Sequence, residues 1–209
     1  MKKILLIISV CLPAFFFTSF AYSAEGLYVS GNVGFAMASD SDYKDPVYSG
    51  LTTTGEYDTG PALGAAVGYG FGQIRVEGEI FYQKNDMDTV SISGASLDAT
   101  GDVTALAFLI NGYFDFVNDS AFTPYISAGL GYAQIDLNDF NYTGSGDPDF
   151  SSDDSVFAYQ VGVGVGYAVT DTLTIDLKYR YMGAEDPEFE DTEAEFASHD
   201  FLLGVRFYF

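Results

Sequence analysis

The sequence predicts an all-β chain, an eight-stranded antiparallel transmembrane barrel of up-and-down order, and three observations predict it. After Ala24 no window reaches 18 uninterrupted apolar residues, which excludes spanning helices. Runs of roughly ten to sixteen residues with alternating side-chain character recur instead, separated by acidic, Gly- and Ser-containing stretches. Hydrophobic residues make up 48% of the chain while its net charge is −22, so oily and charged side chains must occupy separate surfaces.

Residues 1–24 read as a secretory signal peptide. Lys2 and Lys3 precede an apolar stretch from Ile4 to Phe17, and small or polar residues follow through Ala24, with cleavage between 21 and 24. The barrel domain is then 25–209. Cys11, the one cysteine, lies in the removed segment, so the mature chain has no thiol for disulfides or cysteine chemistry. Removing Lys2 and Lys3 leaves six basic against 30 acidic residues, which argues against nucleic acid as a partner.

Strands are expected at 26–38, 59–71, 73–85, 102–117, 122–138, 155–169, 173–184 and 198–209, an even number as a single-chain barrel requires. In the sixth, Tyr159, Val161, Val163, Val165, Tyr167 and Val169 alternate with Gln160, Gly162, Gly164, Gly166 and Ala168. Bulk marks the lipid face and glycine the interior, where small residues leave room for side chains of the far wall. The second strand repeats the device with Leu63, Val67, Tyr69 and Phe71 against Gly64, Gly68 and Gly70. In the last strand Phe201, Leu203, Val205, Phe207 and Phe209 point one way, while Asp200, Gly204, Arg206 and Tyr208 point the other. Tyr28, Tyr69, Phe114, Phe116, Tyr132, Tyr167 and Tyr181 near strand ends suit interface girdles.

Connections alternate between tight (Gly72, 118–121, 170–172) and long (39–58, 86–101, 139–154, 185–197), which places the long loops outside the cell and both termini in the periplasm. The acids concentrate in the long loops: Asp40, Asp42, Asp45, Glu56 and Asp58; Asp86, Asp88 and Asp98; Asp139, Asp147, Asp149, Asp153 and Asp154; and seven carboxylates between Glu185 and Glu195.

The basic residues go elsewhere. Arg75, Lys178, Arg180 and Arg206 fall at inward parity, as do Glu77, Glu79 and Asp176. A cross-lumen ion-pair cluster is expected, Glu77 and Glu79 with Lys178, Arg180 and Arg206, and Arg75 near Asp176, because buried charges persist only when paired. Such a cluster reads either as a plug that satisfies the interior or as a gate in a narrow path. Barrels of this size are normally filled, which favours the plug.

No catalytic, cofactor or metal site is expected. Ser198 and His199 are adjacent, so on a strand they face opposite ways, and His199 shares parity with Phe201 at the outer rim. The Asp40-Ser41-Asp42 and Asp86-Met87-Asp88 pairs lack the remaining ligands and the glycine of a calcium loop. Loop carboxylates and divalent cations bridging to lipopolysaccharide phosphates are a looser expectation.

The tail Gly204-Val205-Arg206-Phe207-Tyr208-Phe209 and the stretch Ala158 to Tyr181 resemble small bacterial outer-membrane barrels of the opacity-protein, surface-antigen and OmpA transmembrane-domain kind. The resemblance implies a Gram-negative outer-membrane location and a terminal strand, Phe201 to Phe209, that the barrel-assembly machinery reads. The leading functional expectation, carried by the loop charge, is a non-enzymatic surface protein whose rigid barrel displays four acidic loops for envelope integrity, adhesion or antigenic exposure, with a host or cell-surface ligand on the loops. The competing expectation is a narrow porin-like channel for small solutes or ions through the charged interior.

Overall fold

The computed structural model describes residues 25–39, 41–44, 53–92, 95–142, 150–185, 188–189, 192–194 and 196–209. The segment 1–24 and many of the loop acids, Asp40, Asp45, Asp147 and Asp149 among them, lie outside the described residues.

Eight long strands close on themselves. They are β1 (Gly26–Ala38), β4 (Gly60–Gly70), β5 (Ile74–Ile92), β6 (Ala95–Asp115), β7 (Phe122–Tyr142), β8 (Phe150–Ala168), β9 (Leu173–Ala184) and β12 (Ala197–Tyr208). Each pairs antiparallel with its neighbours in chain order, and β1 pairs with β12 from Tyr28↔Tyr208 to Ala38↔Ser198, so no edge remains in the barrel wall. Closure satisfies every ladder internally, which a sheet in hydrocarbon requires. β1 and β9 have the predicted bounds.

The lipid face is built as the alternation dictates. Leu63, Val67, Tyr69, Val161, Val163, Leu203, Val205 and Phe207 all point outward and are exposed, while Ala62, Ala66, Gly68, Gln160 and Gly162 point in. At the short-turn end Gly72 has φ 81°, which a side chain would strain, and Phe71 N donates to Ile74 O at 2.7 Å to close the turn.

Four strands outrun their predicted bounds. The 86–101 region is not an open loop: β5 continues to Ile92 and pairs with β6 from Ala95. β7 and β8 likewise extend to Tyr142 and from Phe150. The alternation that marks a lipid-facing strand is needed only in lipid, so once a hairpin rises into water its ladder continues without that pattern. Gly101, at φ 138°, sits where the β6–β7 register shifts between Thr100 and Asp102, a bulge that bends this tall wall. Four short strands lie in the other two long connections: β2 (Ser41–Lys44), β3 (Thr53–Tyr57), β10 (Glu188–Phe189) and β11 (Thr192–Ala194). They form a ribbon in the order β10, β11, β2, β3, joined to upper β5.

Candidate functional site

The interior has two storeys. In the half nearer the short turns, charged and polar side chains project from all sides. Arg75 donates from Nε to Asp115 Oδ2 at 2.7 Å and from a terminal nitrogen to Asp115 Oδ1 at 2.9 Å. Tyr113 sits directly across from Arg75, and Asp115, two residues further along the same strand, is the diagonal neighbour of Arg75, so the fork needs no reach across the lumen. Arg206 pairs with Asp176 at 3.1 Å by the same diagonal geometry, since Gly204 is opposite Asp176. The Arg75 guanidinium carbon lies 4.2 Å from the Tyr113 ring centroid and 5.1 Å from that of Tyr125, a cation held over aromatic faces.

One layer further in, Glu77 accepts from Tyr28 Oη at 2.9 Å, Tyr113 Oη at 2.5 Å and Asn111 Nδ2 at 3.3 Å. Lys178 Nζ donates to Tyr113 Oη at 3.0 Å, so the tyrosine hydroxyl stands between ammonium and carboxylate. Arg180 is the centre of this layer. It holds Asp200 Oδ2 at 2.8 Å through Nε and a terminal nitrogen, contacts Glu79 at 3.3 Å, and lies 3.6 Å from the Phe81 ring centroid. Arg180, Glu79 and Asp200 side chains are all fully shielded, at 0% exposure. Glu79 takes a further bond from Asn111 Nδ2 at 2.7 Å, and Gln160 Nε2 donates to Asn111 Oδ1 at 3.0 Å.

Glycines make these meetings possible. Gly68 lies between Tyr28 and Glu77 in cross-strand register, and a side chain there would run into the Tyr28 ring and Glu77 Cβ. Gly129 occupies the same position between Asn111 and Gln160. A small residue in the middle strand lets side chains of the two flanking strands join above it.

The storey nearer the long loops is apolar. Ala36, Ala62, Phe81, Ala105, Leu109, Ile135, Met182 and Leu202 pack with Met87, Leu137, Val156 and Phe196 into one buried cluster. A polar ladder climbs beside it: Ser198 Oγ shares its one hydrogen between Asp200 Oδ1 at 2.9 Å and Gln83 Oε1 at 3.2 Å, and Gln83 Nε2 donates to Asn85 at 3.3 Å. Asn85 Nδ2 then donates to the carbonyls of Ala36 and Asp58, both at 2.9 Å, tying the loop after β3 to β1. This arrangement pairs charge and fills space; among the described residues it groups no three potential metal ligands.

All seven residues expected in the lumen, Arg75, Glu77, Glu79, Asp176, Lys178, Arg180 and Arg206, are inward and buried. Their pairing differs from expectation in part. Glu79 meets Arg180 across the lumen as anticipated. Arg75 is near Asp176 but takes Asp115 as its hydrogen-bonded partner, Arg206 takes Asp176 and not a glutamate, and Lys178, close to both glutamates, gives its hydrogen bond to Tyr113, whose hydroxyl bonds Glu77. The reason is distance: diagonal neighbours on adjacent strands are closer than any residue on the far wall. Tyr28 is also corrected, since it shares parity with Ser30 and Asn32 and is a buried ligand of Glu77, not a girdle residue. Asp115, Asp200, Asn111 and Gln160 were not anticipated as members of the cluster. Inward parity was their available signal. Phe201, Leu203, Val205, Phe207 and Phe209 alternate outward as expected, Phe209 being 73% exposed.

The closed antiparallel wall, its lipid-facing apolar belt and its side-chain-filled interior define a small membrane β-barrel. A model of the family "outer membrane protein beta-barrel domain" matches residues 4–209, and the chain belongs to that family. It is similar to outer membrane protein PagN of Salmonella typhimurium, 30% identical over 220 residues that cover 90% of this chain and 92% of PagN. Outer membrane protein W of Vibrio cholerae is 29% identical over 161 residues, 73% of this chain and 71% of that protein. Among solved structures, Neisserial surface protein A superposes with a TM-score of 0.57 at 20% identity, covering 91% of this chain and 100% of that one. The outer membrane protease OmpT of Escherichia coli gives 0.53 at 10% identity over 88% of this chain and 97% of its own, a likeness of fold alone. The protein is therefore an outer-membrane β-barrel with its apolar girdle in lipid.

Proposed function

We propose that the protein is a closed, non-enzymatic scaffold that presents its long loops at the cell surface, for envelope integrity, adhesion or antigenic exposure. The observation that carries this reading is the filled lumen: an ion-paired layer capped by an apolar cluster leaves the loop end as the surface available to partners. The tall β5–β6 and β7–β8 hairpins lift that surface above the girdle. Residues 1–24 serve as the cleaved export signal, and the alternating Phe201 to Phe209 strand serves as the signal for barrel assembly. Lipopolysaccharide surrounds the outer rim, with divalent cations bridging its phosphates to loop carboxylates, and a cell-surface ligand docks on the loops.

Planar-bilayer conductance of the refolded barrel tests the closed-scaffold reading. Silence from verified folded protein, together with cell attachment that falls when loop carboxylates such as Asp86, Asp88, Asp153 and Asp154 are neutralised, is the expected pair of results. Steady conductance steps that change with Arg180→Ala would favour the porin-like channel instead. Unaltered attachment after neutralisation would remove the support for acidic display.

A further inference from the structure

The aromatic belt at the loop end is uneven, and its densest part surrounds the chain's single histidine. Across β8, β9, β12 and β1 six rings run in contact: Tyr159 to Tyr181 at 6.4 Å between centroids, Tyr181 to His199 at 5.4 Å, His199 to Tyr179 at 6.0 Å with planes 20° apart, then Tyr179 to Phe201 and Phe201 to Phe35 at 5.2 Å each. Tyr179 Oη lies 2.7 Å from His199 Nδ1. With the phenol donating, the neutral imidazole carries its hydrogen on Nε2, at the far side of the ring from that bond. His199 is half-buried, so this donor is not sealed from its surroundings.

Its height and electrostatic setting select a ligand. Immediately below on the same face, Phe201, Leu203 and Val205 are exposed to lipid tails, so His199 stands in the headgroup layer. Most described charged side chains at the corresponding outer level belong to the other half of the barrel, and Asp153, outward on β8 opposite Asp136, lies six residues beyond Tyr159. Lys84, Asp86, Asp102 and Asp136 extend the outward faces of β5, β6 and β7, and Lys84 Nζ is tied to Asp102 at 2.9 Å. On the His199 sector the nearest described exposed carboxylate along β9 is Glu185, four residues beyond Tyr181, while the neighbouring Asp200 points inward to Arg180. An anion meets a donor there without an adjacent described carboxylate on the same face to repel it.

We propose that His199 Nε2 donates a hydrogen bond to a phosphate oxygen of a phosphorylated glycolipid in the outer leaflet, with the Tyr181 ring packed beside the headgroup. This rests on the outer-membrane placement of the barrel and is independent of what the loops bind or whether the lumen conducts. One histidine gives one imidazole Cε1–H resonance, so the site reports on itself in a tag-free chain. The refolded barrel in maltoside micelles is titrated with lipid A, with inorganic phosphate and with phosphatidylcholine. The resonance should shift saturably with lipid A and far less with the other two, and Tyr179→Phe should weaken the response by freeing the ring. In parallel, lipid A should raise the unfolding temperature of wild type and of His199→Gln, which keeps an amide donor, but not of His199→Phe. An unmoved resonance, an equal shift with inorganic phosphate or phosphatidylcholine, or stabilisation retained in His199→Phe and lost in Lys84→Met would each overturn the assignment.

Discussion

Replacing Arg180 by methionine should be among the most damaging single changes available in this barrel. Methionine keeps an apolar stem against Phe81 but removes the cation that holds Asp200 at 2.8 Å and Glu79 at 3.3 Å. Both carboxylates are fully shielded, so neither can turn to bulk water. Stranding one buried charge costs about 3–5 kcal/mol. Glu79 retains Asn111 and Asp200 retains Ser198, which offsets part of the second loss, so the expected cost stays near the upper end, about 5 kcal/mol. Urea unfolding of the barrel refolded into vesicles measures it, followed by circular dichroism and tyrosine emission because the chain has no tryptophan. Adding Glu79→Gln and Asp200→Asn to Arg180→Met should restore most of the stability, since no charge is then stranded. A single variant that loses under about 1 kcal/mol, or a triple variant no better than the single one, would refute the reasoning.

Three further outcomes are expected. Leu202→Ala, in the apolar cluster beside the Arg180–Asp200 pair, should cost about 2–5 kcal/mol in the same unfolding assay, and any conductance that appears should appear in this variant before wild type. Gly164→Val should block refolding, monitored by the gel shift between folded and unfolded barrel, because a side chain there meets the Tyr125 ring and Leu177 O. Phe209→Ala should leave the unfolding midpoint of refolded protein nearly unchanged, as its ring is 73% exposed and packs edge-on against Phe207, yet lower the amount of barrel inserted in cells, read by surface labelling.

What the sequence disclosed is what period two discloses. Wherever lipid lies on one side and side chains fill the other, alternation names both faces, and β1, β9 and the inward set from Arg75 to Arg206 were readable for that reason. Alternation does not carry register. Whether Arg75 meets Asp115 or Asp176 depends on which residues lie diagonal in the ladder, and that is fixed by strand stagger and not by side-chain type. It also fails above the membrane. Thr89 to Ile92 pair with Ala95 to Asp98 in unbroken register, but their short alternation is cut off from the lipid-facing run by the largely polar stretch Gln83 to Asp88, so it does not announce a continuing strand. Tyr28 shows a third limit: a tyrosine beside a turn looks like a girdle residue until its parity with Ser30 and Asn32 is weighed against its amphipathic character.

The unequal rim has a consequence for who can reach this protein. From Lys84 to Ile92 β5 climbs roughly 20 Å past the last lipid-facing ring, at about 3.3 Å per residue and a barrel tilt near 40°. β9 and β12 stop at Ala184 and Ala197, close to the level of Tyr181 and His199. In profile the barrel wall itself is a parapet on one flank and a low sill on the other, with β10 and β11 leaving the sill to join the ribbon on upper β5. On a bacterium carrying short surface glycans, the parapet would stand clear and the sill would stay in their shade. On one carrying long glycans both would be overgrown, and the same chain would be visible to a neighbouring cell or an antibody in the first strain and hidden in the second.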